Sequence, residues 1–362
     1  MRFADKFVLV GDHFQLPPLV KSARARKGGL DVSLFRRLSE AHPHAVAELA
    51  YQYRMNEDIM KLSNTLIYED RLKCGNEEVA ARTLPVKGAS ATLDKLHVAG
   101  AIDCKGKACW LKDVLDPEYA CFTGRLYLRE LTYSRRRVVF LDTDQVPAKE
   151  SRVGDLVQNE VEASLVQRLV KTMVQGGVKE SQVGVISLYR QQIKLMSHLL
   201  DGHRDVEVLT ADRSQGRDKD CIIISMVRSN DSDSIGDLLK DWRRLNVSFT
   251  RARSKLIVIG SRRTLDNTKL LQDFFELMER NSWIYKLPKG AHTSHDIRPS
   301  TPVKRSLKRS AAEMDKENDL VQPSSQIPRK KARIEKSAGV RRTALLKGRA
   351  VLKDVMMDIQ PI

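Results

Sequence analysis

"QVGVISLYRQQIKLMSHLLDG", residues 182–202, holds the pattern on which the fold turns. Val183 to Leu188 is a nearly continuous apolar run, the composition of a strand covered on both faces. From Tyr189 onward Ile193, Met196, Leu199 and Leu200 fall at helical spacing, and Asp201-Gly202 closes the segment. A strand that feeds directly into a helix is half of a β-α-β unit.

The pairing recurs on both sides. "RRVVFLDT" (136–143) reads as a strand, and "NEVEASLVQRLVKTMVQGG" (159–177) as an amphipathic helix that stops at Gly176-Gly177. "VEVLTA" (206–211) and "CIIISMVRS" (221–229) are strands, and "IGDLLKDWRRLNVSFTRA" (235–252) is largely helical. "KLIVIGS" (255–261) is a strand, and "TLDNTKLLQDFFELMERN" (264–281) a closing helix. This alternation predicts an α/β fold with a parallel sheet covered by helices on both faces.

Further out the signals thin. "FVLVGDHFQLPPLV" (7–20) opens with an apolar run, Phe7 to Val10, that ends at Gly11-Asp12 and also reads as a strand covered on both faces. "LFRRLSEA" (34–41) and "NEDIMKLSNTLIY" (56–68) have helical spacing, with Asn56 placed to cap the second before Glu57-Asp58. Residues 73–136 mix glycines, prolines and short runs, and read as an irregular insertion. The expected organisation is therefore 1–72, 73–136, 137–285 and a basic tail, 286–362.

Charge is concentrated in that tail. The formal net charge is +17; residues 286–362 hold 18 Lys+Arg against 8 Asp+Glu, leaving 45 against 38 for residues 1–285. Such an excess favours a polyanionic partner. After Pro288 the Ser-, Pro-, Lys- and Arg-rich composition has too few large apolar residues to order itself. "TPVKRSLKRS" (301–310) and "IPRKKARIEK" (327–336) read as nuclear-import signals, with a nonspecific solvated tail as the rival. Thr301-Pro302-Val303-Lys304 resembles a proline-directed kinase site, and "TALLKGRAVLKDVMMDI" (343–359) has the makings of a partner helix. Five scattered cysteines, Cys74, Cys104, Cys109, Cys121 and Cys221, form no disulfide framework, and no fourth ligand completes a metal site around Cys104, Cys109 and Cys121. No signal peptide or membrane-length apolar run is present, so the chain reads as soluble and intracellular.

Four stretches carry candidate chemistry. Asp12 and Gln15 follow an apolar run, where ligands of open parallel sheets bind, and a carboxamide can both donate and accept. Arg54 lies between aromatics before a helix cap, and a guanidinium suits the spread charge of a phosphoryl transition state. Taken alone, though, the stretch reads as a surface arginine lying over Tyr51 and Tyr53. In "VLTADRSQGRDKD" (208–220), Thr210 and Ser214 offer hydroxyls to a phosphate backbone, while Gln215, Gly216, Arg217 and Asp218 line a turn suited to a nucleotide. Arg251 and Arg253 come one turn before a buried strand; Arg251 is the better arginine finger, and a solvated face is an equal reading for Arg253.

Taken together, in this order, the stretches resemble superfamily 1 DNA/RNA helicases of the Dna-two/NAM-seven class. "GDHFQLPPLV" is similar to helicase motif III, "YQYRMNEDIMKLSN" to the arginine motif after it, and "QVGVISLYRQQI" to motif IV. "LTADRSQGRDKDCIIISMVRSN" is similar to motif V, and "LLKDWRRLNVSFTRARSKLIVIGS" to motif VI. The resemblance covers residues 5–280, and "VRSN" with "LLKDWRRLNV" resembles the DNA-replication helicase/nuclease branch rather than its RNA-surveillance relatives.

The resemblance implies RecA-like domains with ATP and Mg²⁺ in the cleft between them. It assigns γ-phosphate sensing to Gln15, finger roles to Arg54 and Arg251, and nucleotide contacts to Asp12, Gln215, Gly216, Arg217 and Asp218. Pro18, Tyr189, Arg190, Thr210 and Ser214 fall on a single-stranded DNA track, travelled 5′→3′. Leu188 stands where the family often has proline, and Ser214 where an aromatic is common.

No G-x-x-x-x-G-K-[ST] run and no Asp-Glu pair ahead of motif III occur in the 362 residues. The expectation is a fragment, a truncated gene product or a dead paralogue, inactive as an ATPase alone, with the family's iron–sulfur cluster belonging to a nuclease region outside it. Implied partners are single-stranded DNA, replication and repair proteins and import receptors, with a nuclear, monomeric protein and no membrane. The rival readings are an RNA helicase of the same class and a non-catalytic nucleic-acid-binding or docking remnant.

Overall fold

The computed structural model describes residues 5–86, 88–98, 109–115 and 137–294. Its centre is a sheet of six strands: β1 (Val138–Asp142), β2 (Val183–Ser187), β3 (Glu207–Thr210), β4 (Lys219–Ser225), β5 (Ala252–Gly260) and β6 (Ile284–Lys286). The order across the sheet is β6-β1-β5-β4-β2-β3, with every neighbouring pair parallel.

Alternation along each strand sorts the side chains onto two cores. Val139, Leu141, Val185, Ile223 and Ile257 face one side, against Leu165, Val166, Leu169 and Met173 of α4 (Glu160–Gln175). Val138, Phe140, Ile222, Ile224 and Val258 face the other. There they meet Ile59 and Leu62 of α1 (Glu57–Ile67), Phe249 of α7 (Trp242–Phe249), and Phe274 and Phe275 of α8 (Lys269–Arg280). Phe140 makes edge contacts with Phe274 and Phe275, at 6.1 and 5.0 Å between ring centroids. Asn159 caps α4 by accepting from the Glu162 N–H, as its position before the apolar stripe requires.

The residues expected to form the irregular insertion are more regular in their described parts. Ala89–Val98 (α2) and Trp110–Leu115 (α3) are helices, and Leu93, Trp110, Leu111 and Val114 join the core beneath α4. Cys109 is buried there; Cys104 and Cys121 lie outside the described residues.

Phe7–Val10 does not form the covered strand its composition suggested. It pairs with no strand among the described residues, and Val8 and Val10 are each 87% exposed. A strand covered on both faces needs hydrogen-bonding neighbours, and none of the described elements lies alongside. Two strand pairs were not foreseen: an antiparallel hairpin, Ser151–Val153 with Leu156–Gln158, and a short parallel pair, Tyr51–Gln52 with Lys73–Cys74. The helix expected over 235–252 breaks at Asp241, which caps α7, and ends before Thr250. Arg253 therefore lies on β5 and not on a helix. The two basic clusters, Thr301 and the 343–359 segment lie outside the described residues.

Candidate active site

The site assembles where α1, the turn after α6 (Ala211–Ser214) and the start of β5 meet. Gln52 shapes the loop that carries Arg54. Its side-chain oxygen accepts from the Arg54 and Met55 N–H groups at 2.9 and 2.8 Å, and its Nε2 donates to the Met55 carbonyl at 2.8 Å. The three bonds make a closed turn from which the Arg54 side chain projects. Asn56 follows, fully buried, capping α1 through its Oδ1.

Asp218 reaches the same place from the other side. Gly216 adopts φ +78°, a left-handed conformation suited to glycine, and so turns the chain from α6 into β4. The Asp218 carboxylate then joins two arginines: Oδ2 lies 2.6 Å from Arg54 Nε and Oδ1 lies 3.0 Å from Arg251 Nη1. Arg251 is 1% exposed, with its other donors on the Val247 carbonyl (3.0 Å) and Thr250 Oγ1 (3.2 Å). Burial, and then the neighbouring Arg54 charge, lower its pKa from the ordinary guanidinium value, while Asp218 opposes them.

Asp12 and Gln15 form a second group. Asp12 accepts from the Phe14 N–H, Gln15 Nε2 and Tyr68 Oη at 2.9, 3.0 and 2.7 Å. Asn246 of α7 donates to Tyr68 Oη (3.0 Å) and to the Phe14 carbonyl (3.1 Å), so the N-terminal loop is pinned to the helix that precedes Arg251. Burial, and then the Asp12 charge, push the Tyr68 phenol up. A continuous series of contacts thus runs from Gln15 through Asp12, Tyr68, Asn246 and Thr250 to Arg251, Asp218 and Arg54.

Beside Asp218 lies an open cavity of about 520 Å³, lined by Tyr53, Arg54, Arg82, Asp218 and Arg253. Arg251 is not among the lining residues; it stands behind Asp218. Arg82 and Tyr53 escaped the sequence reading, Arg82 because its surroundings have no periodicity. Asn56 was recognisable as a cap, and its contacts across to β5 were not. Gln215, Gly216 and Arg217 are exposed on the turn, with Arg217 paired to Glu207.

The residues expected along a strand track divide. The C-terminal ends of β2 and β3 are in register at Ser187 and Thr210, which places Thr210 and the start of α5 (Arg190–Leu199) toward the sheet's carboxyl edge. Pro18 and Arg190 are exposed, and Thr210 caps α6. Tyr189 and Ser214 do not present themselves as expected. The Tyr189 ring belongs to the core, with its hydroxyl donating to the Ile235 carbonyl at 3.2 Å. Ser214 is buried, and its hydroxyl is spent on the Ala211 carbonyl at 2.8 Å.

Beneath this edge lies a buried polar network. Glu162 Oε2 accepts from Ser225 Oγ (2.6 Å) and the Val227 N–H (2.9 Å), and Gln192 bridges Asn159 and Ser225. Val227 sits at φ +72°, a strained backbone for a β-branched residue. Burial outweighs the hydrogen bonds and pushes the Glu162 carboxyl up to about 7.

A six-stranded parallel sheet with an arginine-lined wall beside it defines a RecA-like α/β domain. The chain belongs to the AAA-domain family, whose profile matches residues 30–263. It is 40% identical over 305 residues to the DNA replication ATP-dependent helicase/nuclease of Schizosaccharomyces pombe, covering 84% of this chain and 20% of that protein. It is 43% identical over 299 residues to the Arabidopsis thaliana protein of that description, covering 82% and 20%. With the Homo sapiens one it shares 41% over 295 residues, covering 81% and 26%. The chain therefore spans a fifth to about a quarter of the length of these relatives.

Proposed function

We propose that the chain is the second motor lobe of an ATP-dependent, 5′→3′ DNA helicase of the helicase/nuclease kind, acting in a nucleus during replication and repair. The observation that carries this reading is the meeting of Arg54 and Arg251 on one carboxylate, Asp218, at the edge of an open cavity. Arg251 has its remaining donors on Val247 and Thr250, and Arg54 Nη1 reaches the Thr250 carbonyl at 3.4 Å, so both guanidinium groups are preorganised for an anion.

The donor set fits a polyphosphate: forked cations at the wall, and the Gln15 amide tied to the same α7 segment. ATP, when bound, supplies a terminal phosphoryl group whose transfer to water powers closing and reopening of the cleft. In this reading Arg54 and Arg251 exchange part of their contact with Asp218 for phosphate oxygens, and so neutralise developing charge. Gln15 orients by donating through Nε2 and accepting through Oε1. Asp12 fixes the Gln15 rotamer, and the Gln215–Asp218 turn forms the nucleotide side of the wall. Arg190, Thr210 and Pro18 follow a single strand along the sheet's carboxyl edge.

Because the 362 residues contain no G-x-x-x-x-G-K-[ST] sequence, turnover requires a lobe that carries one. The test is Arg251→Ala in a protein holding both lobes. ATP turnover falls by at least about a thousandfold, on the scale of other arginine fingers, while single-strand affinity stays within about twofold. Turnover within about threefold of the parent removes Arg251 from this role.

A further inference from the structure

The cavity wall carries two cations that the reading above leaves unused. Arg82 comes from the stretch between α1 and α2, and Arg253 is the second residue of β5. Both are held at the backbone by one buried residue, Asn56. Its Nδ2 donates to the carbonyls of Arg82 (2.9 Å) and Ser254 (2.8 Å), and its own N–H donates to the Arg253 carbonyl (3.0 Å). Arg82 Nη1 in turn donates to the Arg54 carbonyl at 3.0 Å. The backbones at Arg82 and at the start of β5 are thus fastened beside one opening by Asn56, through its carboxamide and its own N–H, and Arg54 is tied to them through Arg82.

Their charges are not balanced. Among the described residues neither Arg82 nor Arg253 makes an ion pair, whereas Asp218 already serves both Arg54 and Arg251. Four guanidinium groups therefore face or back this wall against one carboxylate. An arginine on open surface is solvated and needs no partner, but these are held together around a concavity, where like charges repel until an anion enters. The volume, about 520 Å³, is in the range of small-molecule sites and leaves room for more than one phosphate group.

We propose that Arg82 and Arg253 form, with Arg54, an anion-binding rim that takes the phosphates behind the terminal one of a nucleoside triphosphate, so that this lobe holds a polyphosphate chain by itself. The proposal rests on the cavity being the nucleotide-facing wall. Arg54 and Arg251 then address the terminal phosphate, and Arg82 and Arg253 address its neighbours. Asn56 is a positioning residue that fixes their spacing.

The experiment uses the whole 362-residue chain, sodium tripolyphosphate as the probe, and phenylglyoxal modification read arginine by arginine by peptide mass spectrometry. Arg82, Arg253 and Arg54 become protected with one shared midpoint, while the exposed Arg152 and Arg204 are modified at unchanged rates. The double variant Arg82→Ala/Arg253→Ala raises that midpoint at least tenfold, the scale of losing charged hydrogen bonds. The variant Arg152→Ala/Arg204→Ala leaves it unchanged. Equal protection of Arg152 and Arg204 means general polyanion condensation and overturns the rim. Protection of Arg54 without Arg82 or Arg253 also overturns it and leaves the proposed function standing; protection of none of these strikes at both.

Discussion

Val138-Val139-Phe140-Leu141 and Phe7-Val8-Leu9-Val10 are matched apolar tetrads, each followed by a polar step, Asp142-Thr143 or Gly11-Asp12. Their surroundings are opposite. The first lies between β5 and β6 with every side chain at most 1% exposed; in the second the exposures run from 41% to 87%. The local pattern specifies an extended apolar segment in both, but burial comes from neighbours on each edge and face. Asp142 has them from Gly260 and Lys286, whereas Gly11 pairs with no strand among the described residues and its side faces the Phe35 ring.

The sharpest way to break this contrast is to truncate one ring in each tetrad. Phe140→Ala removes contacts with Phe274 and Phe275 and costs about 3–5 kcal/mol of unfolding free energy. Phe7→Ala changes stability by less than about 0.5 kcal/mol, the range for a surface change. Denaturant unfolding monitored by tryptophan fluorescence reads both. Equal losses would mean that the first tetrad is not the covered one, or that the second is covered after all.

A second, somewhat smaller effect comes from the charge buried in the covered region. The Glu162 carboxyl ordinarily titrates near 4.5 and in the fold at about 7, with burial as the main cause and the neighbouring Glu150 charge adding to it. Between those values the folded chain keeps a proton that the unfolded chain has lost. Stability is therefore full below about 4.5 and falls as pH rises through 7, by on the order of 3 kcal/mol. Glu162→Gln flattens that decline, as measured by unfolding midpoints across the same range. A parent protein whose stability does not fall between pH 5 and 7.5 contradicts the protonated, buried carboxyl.

The same contrast explains what could be read in advance. The sheet was legible because its strands are apolar runs, and because α4 and α8 carry stripes at helical spacing. Asn56 was legible as a cap because a cap is a local event. The tetrad at Phe7 was misread for want of a neighbour, which no local pattern supplies. Leu93 and Trp110 were missed as core residues because the helices that bear them are short and separated by residues without periodicity. Of the site, Arg54, Asp218 and Arg251 stood out from their motifs. Arg82 did not, since its place depends on an amide 26 positions away, and Tyr189 and Ser214 depart from the strand contacts their motifs imply because the fold spends their hydroxyls on backbone carbonyls. Arg253 was hard to assign because β5 begins at Ala252, three residues earlier than the strand reading of 255–261 implies.

The central claim is that an amide and two guanidinium groups from separate segments address one terminal phosphate. The most direct measurement is a crystal structure of a protein holding both lobes, bound to ADP and a fluoride mimic of the transferring phosphoryl group. The account predicts Gln15, Arg54 and Arg251 each within hydrogen-bonding distance of that mimic, with Asp218 released from at least one arginine. Both arginines still locked on Asp218, and Gln15 still on Asp12, with the mimic bound elsewhere, would contradict it.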